Sequence, residues 1–174
     1  MGRVVPAGNV DWPRLFGRFE HTCFRLHTRQ SYDDPGEADA LRSFLAGEVP
    51  AVYPAKDEWL AVVRAGVAAG KVMQRVHVVS EPLSDYLRFE IGWSYQVNAE
   101  LGEDIRISRA GAALPGNDYW LFDSRALARM HYDDHGRLTG VELDDHPAAV
   151  VQAAYWRDVA LHLAVPLDNW RSIR

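Results

Sequence analysis

The stretch KVMQRVHVVS, residues 71–80, constrains the fold of this 174-residue chain more than any other. Val72, Val76, Val78 and Val79 supply the β-branched bulk of a strand. Residues 57–69 ahead of it carry Trp59, Val62, Val63, Gly66 and Val67 at helical spacing, and Gly70 supplies a stop. Residues 84–101 behind it read as a second helix, capped by Ser84 and ended by Gly102. EDIRIS, residues 103–108, is the next strand. A strand, a helix and another strand in that order form a βαβ unit, and its right-handed crossover demands parallel strands. Residues 72–79 are therefore predicted to lie inside a sheet and to deliver Glu81 to a crevice beyond its carboxyl end.

The flanking segments complete the fold class. FEHTCFRLHTRQSY alternates, with Thr22, Phe24 and Leu26 on one face and His21, Cys23, Arg25 and His27 on the other, a half-buried strand. PGEADALRSFLAGE reads as a helix opened by Pro35 and stopped at Gly47. DYWLFDS, ALARMHYD and RLTGVELDD are three strands, the last two joined by a tight turn at DHG, where Gly136 is free to take positive φ. HPAAVVQAAYWRDVALHLAV is a long helix begun by Pro147, with Val150, Val151, Ala154, Val159 and Leu161 toward a core. Residues 1–18 read as an irregular lead-in with Trp12, Leu15 and Phe16 tucked against the body, and 166–174 as a tail that packs Trp170. No repeat, linker or composition break divides the chain, so residues 1–174 are expected to form one α/β (α+β) domain: a mixed β-sheet with helices packed on its faces.

Charge and composition narrow the function classes. The net charge is −5 and no run of basic residues occurs, so direct nucleic-acid binding is not expected. No apolar stretch reaches the ~20 residues that span a bilayer. The start lacks a signal-peptide core, and Pro6 stands where a myristoylation signal needs Ser or Thr. The single cysteine permits no internal disulfide, which makes a cytoplasmic setting the default.

Two stretches carry candidate chemistry. In the first, Glu81 follows the buried strand, and Tyr86, Arg88 and Glu90 lie on the helix after it. Tyr86 and Glu90, four apart, share a helix face, as do Asp85 and Arg88, three apart. Glu81, Tyr86, Arg88 and Glu90 form the expected ligand-binding set; an Asp–Arg surface pair and core aromatics are the plainer alternative. In the second, Asp123, His131 and Asp133 are candidates for an acid–base cluster meeting across a hairpin, against the alternative of cross-strand pairs on a solvated face. No metal is expected: Asp133, Asp134 and His135, and Asp144, Asp145 and His146, suit turns and match no zinc or calcium spacing. Cys23 reads as a buried thiol. No phosphate-binding, dinucleotide-binding or nucleophile-elbow motif occurs, and no cofactor is implied.

QRVHVVSEPLSDYLRFEIGWSYQVNAELGEDIRI and LPGNDYWLFDSRALARMHYDDHGRLTGVEL, together with FEHTCFRLHTRQSY and FLAGE, resemble the actinomycete family called domain of unknown function 6879, over roughly Trp12 to Pro166. That resemblance implies a regulatory or toxin–antitoxin-like module partnered by a small helix-turn-helix regulator, and it implies no chemistry. The strand, helix and strand followed by YWLFDSRALARMHYD are also similar to a phospholipase D-like half-domain. That family's signature is His, any residue, Lys, four residues, Asp. His131 is followed by Tyr132 and Asp133, and the only lysines are Lys56 and Lys71, so nothing matches it. The expectation is a non-catalytic regulatory protein, associated with a regulator of the helix-turn-helix type or with a small ligand. The alternatives are a hydrolase or nuclease-like enzyme using the Asp/His cluster, and a structural subunit of a homo-oligomer. Six Trp and seven Tyr suit an interface as well as a core.

Overall fold

The computed structural model describes residues 2–172. The strands are β1 (Arg3–Pro6), β2 (Thr22–His27), β3 (Val72–Val78), β4 (Asp104–Ser108), β5 (Tyr119–Phe122), β6 (Ala126–Tyr132), β7 (Leu138–Asp144) and β8 (Val165–Pro166). The helices are α1 (Trp12–Arg18), α2 (Ala38–Leu45), α3 (Pro54–Ala68), α4 (Asp85–Phe89), α5 (Tyr95–Glu100), α6 (Pro147–Leu163) and α7 (Leu167–Ser172). The strands form one mixed sheet in the order β1-β7-β6-β5-β2-β3-β4-β8. β3 pairs in parallel with β2 on one side and β4 on the other. The Val72–Val79 stretch is thus interior and parallel, as the βαβ pattern requires, and the mixed α/β architecture follows.

Each face of the sheet has its own cover. Phe24, Leu26, Val76, Val78, Tyr119 and Leu121 point one way and pack against Val150, Ala153 and Ala160 of α6. On the other face Cys23, Met73, Trp120 and Phe122 meet Val63 of α3, with Trp12, Phe16 and Trp59 around them. Beyond them Ile105 and Ile107 meet Leu87, Ile91 and Tyr95. With helices on both faces, β2 is buried on both sides rather than half-buried, which puts the charged residues of its second face inside the protein. On α6, Val150, Ala153 and Ala160 are buried against the sheet and Ala154, Val159 and Leu161 pack beside them as expected, while Val151 points to solvent.

Other differences have local causes. The expected irregular lead-in holds β1, which adds to β7 as an edge strand, and α1, whose first turn Asp11 caps through Arg14 N at 3.0 Å. The expected tail holds β8, added to β4, and α7, which buries Trp170. Residue 1 of the lead-in and residues 173–174 of the tail lie outside the described residues. The helix read as continuous over 84–101 is broken by a π-helical turn at Glu90–Ser94, in which Tyr95 N bonds Glu90 O. The wider turn brings Glu90, Ser94, Tyr95 and Asn98 to the same interior side. Gly92 in that turn has no room for a Cβ, which would lie 2.9 Å from the ring of Phe44 on α2. Gly136, in the β6–β7 turn, has φ +88 as the DHG turn demands.

Leu26, in the middle of β2, has no exposed surface. Leu26→Ala is expected to cost about 2–5 kcal/mol, read as a lowered denaturant midpoint in equilibrium unfolding.

Candidate functional site

The pairing of β2 with β3 sets Arg25 beside Arg75 and His27 beside His77. Side chains alternate along a strand, so all four point to the face away from α6. Arg25 is 3% exposed. Two guanidiniums side by side in the interior need counter-charges, and each has one. Asp118, at the start of β5, accepts from Arg25 Nη2 at 3.1 Å. Its carboxylate also takes Tyr32 Oη at 2.5 Å and the backbone N and hydroxyl of Thr28, both at 2.8 Å. Glu103, just before β4, accepts from Arg75 Nε at 2.8 Å, from Trp59 Nε1 at 3.0 Å and from Asn98 Nδ2 at 2.7 Å. Burial pushes the Asp118 carboxyl up, but His27, Arg25 and Tyr32 outweigh it and hold the group well below the usual carboxylate range.

The two imidazoles are locked by the same network. Arg75 Nη1 donates to His27 Nε2 at 2.6 Å, so the ring carries its proton on Nδ1, 3.1 Å from Tyr32 Oη. Burial, then Arg25, keeps His27 well below its ordinary pKa and therefore neutral. His77 Nε2 donates to the Arg29 carbonyl at 2.8 Å, which leaves Nδ1 to accept from Tyr95 Oη at 2.5 Å. Burial lowers His77 to about 4. Neither ring has a free lone pair, so neither can act as a general base.

Above this floor lies a cavity of about 510 Å³. Its walls include Trp12, Phe16, Tyr32, Trp59, Trp120 and Tyr132. Glu37, Tyr53, Lys56, Tyr86, Glu90 and Ser94 line it as well. Lys56 Nζ donates to the Ser94 carbonyl and hydroxyl, both at 2.7 Å, and burial lowers its pKa to about 8. Tyr53 Oη donates to Glu37 at 3.0 Å. Burial, then Glu90, pushes the Glu37 carboxyl up to about 8. Glu90 is also raised by burial, which Lys56 opposes. The segment from Thr28 to Glu37 borders the cavity and is held down by Asp33 N to Gly136 O at 3.1 Å and by the Arg137–Asp33 ion pair. A Cβ on Gly136 would stand 3.2 Å from Ser31 O, so this approach needs glycine.

Of the expected ligand set, Tyr86 and Glu90 line this cavity. Arg88 sits on the opposite side of the helix, exposed and paired with Asp85, as the i, i+3 spacing allows. Glu81 reaches the strand end but pairs with Arg109 at 2.8 Å on the surface. Asp123, His131 and Asp133 do not converge. Asp123 sits in the β5–β6 turn with φ 52, and its carboxylate accepts the backbone N–H groups of Glu20, His21 and Thr22 at 2.7–2.8 Å. His131 lies at the far end of β6, opposite Gly140 and 3.7 Å from Glu142. Asp133 closes the next turn, accepting from His135 N and Arg137 N at 2.9 Å. The cluster of the enzymatic alternative is thus a turn anchor, a cross-strand partner and a second turn anchor at separate places. Asp144 likewise accepts from His146 N, and among the described residues no three His, Cys, Asp or Glu side chains gather as a metal set. The Cys23 thiol is buried, and burial raises its pKa well above the ordinary value.

The site's main residues, Arg25, His27, Glu37, Lys56, Arg75 and Asp118, were not singled out from sequence. One signal was present: Arg25-x-His27 and Arg75-x-His77 repeat the same alternation in two strands whose other faces are apolar. Polar residues at every second position of a strand buried on both faces must find their partners inside the protein.

The mixed sheet with helices on its faces has phospholipase D-like folds among its structural neighbours. The phospholipase D family member Nuc from Salmonella typhimurium is similar at a TM-score of 0.60 and 8% identity, over 95% of this chain and 97% of that one. NucT from Helicobacter pylori is similar at a TM-score of 0.52 and 6% identity, over 95% and 98%. TrmBL2, an archaeal chromatin protein described as having a novel mode of DNA binding, gives 0.54 and 9%, over 93% of this chain and 52% of that one. At such identities the likeness is one of fold. The chain belongs to the family described as domain of unknown function (DUF6879), whose model matches residues 10–172. No curated protein matches its sequence.

These findings correct the expected partners. A helix-turn-helix regulator or a small ligand, with nucleic acid set aside, rested on net charge and on the family resemblance. A DNA-binding chromatin protein shares the fold, so an acidic total does not exclude nucleic acid. Among the described residues no helix is long and apolar enough to cross a membrane.

Two outcomes are expected. Asp118→Asn leaves Arg25 buried beside a neutral amide and should destabilise the fold by about 3–5 kcal/mol in urea unfolding, whereas Asp118→Asn with Arg25→Met should recover part of that loss. For Glu37 the folded pKa is raised, so its contribution is fully present below its ordinary value of 4.5 and is lost as pH rises toward about 8. Unfolding midpoints across that window should show Glu37→Gln gaining on the wild type as pH rises; a constant gap would contradict the burial effect.

Proposed function

We propose that this protein is a non-catalytic nucleic-acid-binding module that takes bases of a single strand into the cavity. The observation that carries the reading is a cavity walled by aromatic rings whose guanidiniums are already neutralised by carboxylates. Trp12 and Phe16 stack at 5.7 Å, Phe16 meets Trp59 and Trp120 edge-on at 5.1 and 5.0 Å, and all four line the cavity. Base–aromatic stacking is worth about 1–3 kcal/mol per base and tolerates any sequence. Arg25, Arg75 and Arg137 are held by Asp118, Glu103 and Asp33, so the cavity floor offers little net charge to a phosphate. Bases, rather than backbone, are what this lining suits.

The DNA binding described for TrmBL2 supports the same class of ligand on the same fold. Phosphodiester cleavage lacks support. Counted back from Asp123, the phospholipase D-like signature would want His at position 116 and Lys at position 118, where Gly116 and Asp118 stand. Asp118 is committed to Arg25, and the lone pairs of His27 and His77 are occupied.

The test is tryptophan fluorescence on titration with short single-stranded oligonucleotides. Saturable quenching is expected, weakened by Trp12→Ala, since Trp12 is half-buried at the cavity. Binding through bases should also lose little affinity with salt, far less than the ~0.7 log units per decade that each neutralised phosphate gives on a single strand. The reading fails if no saturable binding occurs at about 10⁻⁴ M, the weak end of non-specific affinity, or if duplex binds as well as single strand.

A further inference from the structure

Among the described residues, Glu37 and Glu90 are the two buried acids of the cavity without an ion pair, and of the two Glu90 is the one that Lys56 and Arg75 offset. Arg25, Arg75 and Arg137 each have a carboxylate, and Lys56 is tied to Ser94. Glu37 is 7% exposed and lines the cavity, yet among the described residues no cation stands within ion-pair distance of it. The groups around it come from four elements. The loop ahead of α2 gives Asp34, and α3 with its N-cap gives Lys56 and Tyr53. Tyr86 comes from α4 and Glu90 from the π turn. Two of these are acids and two are phenols, so nothing but Lys56, already engaged, could balance the charge. A second vacancy stands in the same lining: the buried Nη1 of Arg25 has no hydrogen-bond partner among the described residues.

Resting on the reading of the cavity as a base pocket, we propose that Glu37 selects guanine, its carboxylate accepting the two adjacent N–H donors of the guanine Watson–Crick edge. Adenine, cytosine and uracil in their neutral forms present one donor beside an acceptor on that edge. A carboxylate offers two acceptors side by side, and only guanine offers two donors to match. Guanine also carries the O6 acceptor, for which Arg25 Nη1 supplies a donor of the kind that reads guanine elsewhere. Until a ligand arrives, Glu37 keeps its proton near neutral pH, because burial and Glu90 disfavour the charge. Guanine therefore binds with release of that proton to solvent. Its affinity should rise as pH rises from 6 toward about 8, by up to tenfold per unit, and then level off.

Isothermal titration calorimetry of the full chain with the 5′-monophosphates of guanosine, adenosine, cytidine and uridine tests this. Guanosine monophosphate is expected to bind roughly tenfold or more tightly than the others, the discrimination of one bidentate pair. Its apparent enthalpy should vary with the ionisation enthalpy of the buffer, reporting close to one proton released. Glu37→Gln, which replaces one acceptor by a donor, should reduce guanosine monophosphate to the level of the other three and abolish the buffer dependence. Circular dichroism shows whether that variant is folded; if it is not, Tyr53→Phe, which removes only the hydroxyl held by Glu37, should shift the pH midpoint of guanosine binding. Equal binding of the four nucleotides, or a guanosine affinity flat with pH, overturns the role of Glu37 while leaving the base pocket standing. Binding of none of them, with oligonucleotides also inert, removes the pocket itself.

Discussion

The structure depends on a side-by-side pair of buried guanidiniums. Parallel pairing of β2 with β3 puts Arg25 next to Arg75 inside the protein, where like charges repel and water is excluded. Burying one such ion costs several kcal/mol unless a partner with good geometry offsets it. Asp118 and Glu103 are those partners, and they arrive from opposite sides: one heads β5, next to β2, and the other precedes β4, next to β3. The charged floor can exist only when the four central strands are in register. An apolar interior would hold the sheet together as well, so the network is better understood as the framework of a site than as a source of stability.

From that floor the rest of the cavity follows. Asp118 collects Tyr32 and Thr28 and so fixes the segment leaving β2, whose far end carries Glu37. Glu103 collects Trp59 and Asn98 and so ties α3 to α5. The π turn between α4 and α5 adds one residue to the helical repeat and brings Glu90 and Ser94 over Lys56. Aromatic rings close the remaining side. The result is a recess with paired arginines, neutral imidazoles and two buried acids, Glu37 and Glu90, that have no ion pair among the described residues.

The relation to the phospholipase D-like fold has the same physical character. The likeness is one of overall fold, while this chain carries no His, any residue, Lys, four residues, Asp signature. Where a lysine would be needed, Asp118 is a carboxylate clamped by an arginine, and Asp123 serves the backbone of the chain that enters β2. The polar interior of this chain is a network in which Arg25, Arg75 and both imidazoles are held by hydrogen bonds, and fold alone does not assign it a chemistry.

How much of this was legible in the chain itself can be said residue by residue. The β-branched run at Val72–Val79, the caps at Ser84 and Gly70, and the DHG turn are local signals, and local sterics and hydrogen bonds decide them. The element order, the parallel core and the face alternation of β2 were therefore determined by sequence alone. So was the shared face of Tyr86 and Glu90, since that depends only on helical phase. The edge strand at Arg3–Pro6 and the short helices near both ends were not, because such elements exist only through the surface they pair with. The site belongs to the same category. Arg25 and Asp118 are 93 residues apart, and Arg75 and Glu103 are 28 apart. Which charge meets which, and which acids are left without an ion pair, depends on strand register and on loop closure, and these long-range geometries are set only when the whole sheet has assembled.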